Sequence, residues 1–124
     1  MVRRLAATLG VIVSVLASLG TIVAFFAVST TSYPYAKLLA RQIRAAEAHV
    51  KLAFGGVFAT LNAQLVKLQC PEVDFVCRGD GEQLILDLLQ QLDDPSGVAG
   101  LTWAKDGRVM HNPNRPMDRA LDQW

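Results

Sequence analysis

Apolar positions are spread unevenly along this chain. From Leu5 to Val28 the sequence reads LAATLGVIVSVLASLGTIVAFFAV, with no charged side chain. As one helix it would reach about 36 Å, enough to cross a bilayer core of roughly 30 Å. A helix buried in a globular domain keeps a polar stripe, and this run has none. The pattern predicts a transmembrane helix over residues 5–28, preceded by a stub of residues 1–4. Ala6, Gly10 and Ser14 fall four apart within it, the small-residue spacing that lets two membrane helices pack closely.

After Pro34 the pattern changes to an amphipathic one. Leu39, Ile43, Ala46, Val50, Ala53, Val57, Leu61 and Leu65 recur at threes and fours, while Arg41, Arg44, Glu47 and Lys51 take the other side. That spacing predicts one long helix from Tyr35 to Gln69, with Leu39, Ile43, Val50, Val57 and Leu61 as its packing face. Gly55 and Gly56 are a weak point in it. Pro71, Gly79 and Gly81 then break helicity. Asp80 opens a second, shorter helix, EQLILDLLQQL, with Gln83 completing a capping box.

Farther on, two short β-type runs flank Asp106-Gly107, the dipeptide that favours a tight hairpin turn. Leu101 and Trp103 share one face of the first run, Thr102 and Ala104 the other. The predicted fold class is α+β: a membrane helix running into a long exported helix, then a short helix and a hairpin belonging to a partial PAS-like sheet. Residues 29–112 form the small extracytoplasmic domain, and residues 113–124 a loose tail.

Charge decides the side of the membrane. Arg3 and Arg4 precede the span, and the next cation is Lys37. The positive-inside rule puts the N-terminus in the cytoplasm and the domain in the periplasm of a bacterial inner membrane. A cleaved signal peptide, with Ala27 and Ser29 as the small cleavage residues, would export the same domain. Of the twelve Lys and Arg, ten lie beyond the span against eleven Asp and Glu. Such a balance gives no footprint for nucleic acid.

The chemistry on offer is sparse. Cys70 and Cys77 are the only cysteines. In an oxidising compartment they could close a disulfide, or remain two buried thiols. A metal site wants about four ligands, and only His49 and His111 could add to them. No Walker loop, dinucleotide fingerprint or paired-carboxylate motif occurs, so no catalytic residue, metal or cofactor is assigned and the chain reads as a non-enzyme. Trp103 and His111 on the hairpin are the candidate ligand contacts.

The order of anchor, long helix, Cys77 ahead of EQLILDLLQQL, and a hairpin turning at KDGRV resembles bacterial extracytoplasmic sensor modules of the Cache-like and CSS-motif group. In that group a cysteine before the short helix is joined to one after the hairpin. Here residues 111–113 read HNP, so Cys77 would have to pair with Cys70 or stay free. The resemblance implies a single-pass, non-catalytic sensor that binds an unidentified small ligand. It would signal through the long helix to the anchor, as a homodimer or with another membrane protein in the bilayer. The rival expectation is a small assembly subunit of an envelope complex, docking by the same helix.

Overall fold

The computed structural model describes the backbone of residues 12–18, 21–79 and 81–116, and the side chains of residues 26–79 and 82–116. Among the described residues, six strands form one mixed sheet in chain order: β1 (Ile12–Ser18), β2 (Thr21–Ala27), β3 (Lys51–Gly55), β4 (Phe75–Cys77), β5 (Leu101–Lys105) and β6 (Arg108–His111). β2, β3 and β4 are parallel to one another, and β1, β5 and β6 join antiparallel. The helices are α1 (Tyr33–Ala46), α2 (Val57–Leu61), α3 (Ala63–Gln69) and α4 (Gly81–Gln90), with a 3-10 turn at Pro95–Gly97.

The expected membrane helix is not formed. Most of its residues lie in β1 and β2, paired from Ile12↔Ala27 to Ser18↔Thr21. No helix among the described residues is long and apolar enough to cross a membrane. The single-pass anchor, and with it the inner-membrane and periplasmic placement, is overturned. The physical reason lies in β2, an inner strand with β1 on one side and β3 on the other. An inner strand of a covered sheet reads as a continuous apolar run, the signal that also marks a membrane span. Ser14 sits opposite Phe25 on β1, so the four-residue spacing seen in the sequence is not a helical face. Ala6 and Gly10 lie outside the described residues, as does Asp80, the expected cap of the shorter helix.

The long helix is also corrected. It ends at Ala46, and the chain continues as strand β3 and two short helices. Arg44 accounts for the stop. Its guanidinium donates to the carbonyls of Ala48 (2.8 Å) and Val50 (2.7 Å), wrapping the chain back toward the sheet. It also donates to Glu72 O and to Asp74 Oδ2 (2.6 Å). Asp74 Oδ2 accepts in addition from Leu52 N–H, so one carboxylate ties the start of β3 to the start of β4.

Successive strand residues point to opposite faces, and here both faces are buried. Phe26, Leu52, Phe54 and Val76 enter a first core with α1, α2 and α3; Phe26 and Phe54 stack at 5.2 Å. Ala53, Phe75, Cys77, Leu101 and Trp103 enter a second core under α4, with Leu84, Ile85 and Leu88. The helices of the two parallel crossovers lie on the same face, as consecutive crossovers of one hand require. The architecture is thus a three-layer α/β domain in place of a partial PAS-like sheet. The short helix and the hairpin stand where the apolar pattern puts them. Asp106 (φ 51°) and Gly107 (φ 78°) make the tight turn.

Candidate functional site

Open α/β sheets take ligands beyond the carboxyl ends of their parallel strands, where loops converge and helices begin. In this chain those ends are Ser29–Ser32 after β2, Gly55-Gly56 after β3 and Arg78-Gly79 after β4. A cavity of about 320 Å³ opens there, lined by Gly56, Val57, Thr60, Leu61 and Gly79.

Each lining residue has a local cause. Val28 N–H donates to Gly55 O at 2.8 Å, bringing the end of β2 hard against the turn after β3. A side chain on Gly56 would stand 2.8 Å from Val28 O, and φ there is +96°; only glycine turns the chain in that space. Gly79 also has positive φ (+90°), yet a Cβ there would meet nothing within 4 Å. It faces the open cavity. Thr60 links the two loops. Its hydroxyl donates to Gly56 O (2.7 Å) and accepts from Gly79 N–H (3.1 Å). Val57 and Leu61, at the two ends of α2, are 75% and 77% exposed. An exposed apolar pair at a strand edge is the kind of surface that covers a ligand.

On the β2 side, Ser29 and Ser32 bond to each other, hydroxyl to hydroxyl at 3.0 Å, and close the loop that leads into α1. Beyond β4, Arg78 is partly buried and its pKa is lowered by desolvation. It reaches away from the cavity, to Asn114 Oδ1 and the carbonyls of Leu101 and Asn112. The lining therefore carries no charged side chain among the described residues. It is suited to a largely apolar, uncharged ligand group.

The candidate ligand contacts, the histidines and the cysteines singled out from sequence lie elsewhere. Trp103 is 7% exposed in the second core, and its Nε1–H donates to Asn112 Oδ1. His111 is on β6, bonded through Nδ1 to Thr102 Oγ1 (2.8 Å) and through Nε2 to Gln64 Oε1 (2.7 Å). His49 lies in the loop before β3, at the opposite end of the parallel strands from the cavity. Cys70 and Cys77 are both free and buried, in the first and second cores respectively, on opposite faces of the sheet. The pairing considered from sequence is not formed. Burial pushes the Cys77 thiol up to about 12; burial and then the Glu72 carboxylate push Cys70 up to about 11. No group of three or more His, Cys, Asp or Glu stands together as a metal site among the described residues.

The expected packing face is divided. Leu39 and Ile43 are buried on α1, and Val50 packs at the margin of the same core. Val57 and Leu61 are exposed at the cavity instead. The break at Asn62 between α2 and α3 resets the helical phase, so Ala59, Ala63 and Val66 face inward. Gly56, Thr60 and Gly79 were missed as site residues. The one signal for them was a glycine pair directly after the apolar run VKLAF, the punctuation of a strand-to-helix turn.

Comparison with known proteins gives the chemistry a direction. The B12 binding domain family matches residues 12–89. An uncharacterized methyltransferase of Pyrococcus horikoshii is 30% identical over 99 residues, 77% of this chain and 22% of that protein. The anaerobic magnesium-protoporphyrin IX monomethyl ester cyclases of a Synechocystis species and of Rubrivivax gelatinosus are 28% and 32% identical. They align with 77% and 56% of this chain, and 20% and 15% of their own length. The chain spans about a fifth of the length of the curated relatives it matches. These matches overturn the sensor module and the envelope assembly subunit. The helix–hairpin order that resembled a CSS-motif domain is the second half of an α/β sheet.

Proposed function

The chain belongs to the B12-binding domain family, and we propose that its strand edge at Gly56, Thr60 and Gly79 holds cobalamin for an enzyme of the methyl-transfer or anaerobic cyclase kind. The observation that carries this reading is the character of the edge. A corrin is a wide, mostly apolar macrocycle rimmed by amides. It fits an open, uncharged surface with backbone polar groups at its margin. Val57 and Leu61 supply exposed apolar area, and Gly56 and Gly79 let the ligand approach the backbone.

When bound, cobalamin supplies the cobalt chemistry that side chains cannot perform. The residues of this chain would do the rest. Val57 and Leu61 would cover one side of the macrocycle and exclude water. The glycine turns would offer room and amide groups, and the Ser29–Ser32 loop would close the margin on the β2 side. Substrate and acceptor contacts would come from the further length that the relatives possess, since among the described residues no acid or base lines this cavity. The chain is then the cofactor-holding part of an enzyme.

The test is a spectral titration of the full chain with hydroxocobalamin, beside magnesium protoporphyrin as a tetrapyrrole without cobalt or a nucleotide tail. Saturable binding of the corrinoid alone supports the reading. Equal binding of both indicates a general tetrapyrrole surface, and binding of neither removes the proposal.

A further inference from the structure

We infer that Thr60 is a positioning residue, whose hydroxyl fixes the separation of the β3–α2 and β4–α4 loops and so sets the width of the cofactor edge; the inference rests on the cobalamin reading above. A hydroxyl has one proton to give and lone pairs to accept with. Thr60 uses both in one line: Gly56 O, Thr60 Oγ1, Gly79 N–H, at 2.7 and 3.1 Å. All three residues line the cavity.

The arrangement is asymmetric. Gly56 is confined from a second side, because Val28 bonds to the adjacent Gly55 O and leaves no room for a side chain at Gly56. The Cβ position of Gly79 faces open space, so the Thr60 bond is a tether on a glycine with broad conformational freedom. The Thr60 backbone N–H also donates to Gly56 O (3.0 Å). The hydroxyl is therefore redundant for holding α2, since a threonine bonded back to the carbonyl four residues earlier adds little to helix stability. What the hydroxyl adds is the reach across to Gly79. It acts on loop spacing with little effect on folding.

Thr60→Val keeps the branched shape and removes the hydroxyl, whereas Thr60→Ser keeps the hydroxyl. Three readouts are needed on the full chain: thermal melting, amide hydrogen exchange at Gly79, and hydroxocobalamin affinity. Expected for Thr60→Val is a Gly79 amide exchanging about tenfold faster and affinity about tenfold weaker, with melting almost unchanged. Thr60→Ser should restore both to within about twofold. Unchanged Gly79 exchange in Thr60→Val would overturn the inference. So would a Thr60→Ser variant as defective as Thr60→Val, which would assign the effect to the methyl. If the native chain binds no corrinoid, the reading of the edge fails by itself, and Gly79 exchange still decides whether Thr60 tethers the loops.

Discussion

The two ends of the parallel strands are built from different materials. At the amino ends, charge makes the joints. Arg44 gathers three carbonyls and Asp74, Asp74 accepts from Leu52, and Lys67 is buried with its ammonium on Val73 O at 2.6 Å. Arg41 stands 3.7 Å from Glu72 on the rim of the same cluster. Around the cavity at the carboxyl ends the joints are backbone amides and hydroxyls, and the one guanidinium there, Arg78, turns away to Asn114 and the carbonyls of Leu101 and Asn112. Half-buried charges lock a segment in place because leaving any one unpaired is costly. Glycines and exposed apolar side chains leave an edge that can receive something. The end whose joints do not fill it is therefore where the proposed cofactor would enter.

The largest effect expected is at Gly56. Gly56→Ala puts a methyl 2.8 Å from Val28 O and 3.0 Å from Val28 N, in a backbone at φ +96°. Val28 cannot retreat without losing its bond to Gly55 O. A loss of about 3–4 kcal/mol in urea unfolding is expected, from overpacking and backbone strain together. A loss under about 1 kcal/mol would mean that the β2–β3 junction is soft, and that the open edge is not rigid.

Arg44→Met breaks the other end. It keeps most of the stem and removes four hydrogen bonds at once, leaving Asp74 with Leu52 N–H. The Arg44 and Asp74 side chains are 26% and 28% exposed, which reduces the effect through solvent screening. A loss of about 2–3 kcal/mol is expected, with cobalamin affinity unchanged because the lesion is at the far end of the strands. An affinity that fell in step with stability would contradict the separation of the two ends.

A smaller effect tests how closed the second core is. The thiol of Cys77 is raised by burial from 9.0 to about 12. An acid raised in the folded state contributes stability that is complete below its unfolded value and is lost as pH climbs through the folded one. As pH climbs from 9 toward 12 the native chain should steadily lose stability relative to Cys77→Ala, followed by denaturant melts. Parallel curves for the two proteins would show that water reaches the thiol.

Sequence periodicity accounts well for some elements of this sheet and poorly for others. The short helix at Leu84, Ile85 and Leu88 and the hairpin at Asp106-Gly107 are legible because local pattern and turn chemistry decide them. Strands β2 and β3 are not. Inside the sheet, with a core on either face, β3 buries Leu52, Ala53 and Phe54 in succession, so it loses the alternation that marks a strand. The run before Val28 then looks like a membrane span, and VKLAF extends the phase of α1 by coincidence. Arg44 looked like solvent-facing charge because a sequence does not say which carbonyls will surround a guanidinium. The cavity residues were hidden for the same reason. Gly56 and Gly79 are glycines because of backbone approach and positive φ, and Thr60 matters through partners on another loop.

The smallest stability effect separates a receiving edge from a packed one most cleanly. Leu61 is 77% exposed and contributes little to either core. Leu61→Gln should therefore change unfolding free energy by no more than about 0.5 kcal/mol, the ordinary range for a surface site. If the edge holds a corrin, the same change removes apolar area from the covered face and should weaken hydroxocobalamin binding about tenfold, as burying a leucine is worth about 1.5–3 kcal/mol. The pairing of a silent melt with a lost titration is what a binding surface predicts and a packing surface does not. Leu86, 55% exposed on α4 over the second core, is the matched control. Leu86→Gln should leave both measurements alone. Should Leu86→Gln weaken binding as much as Leu61→Gln, the ligand lies on the α4 face, and the carboxyl edge of the strands is not its seat.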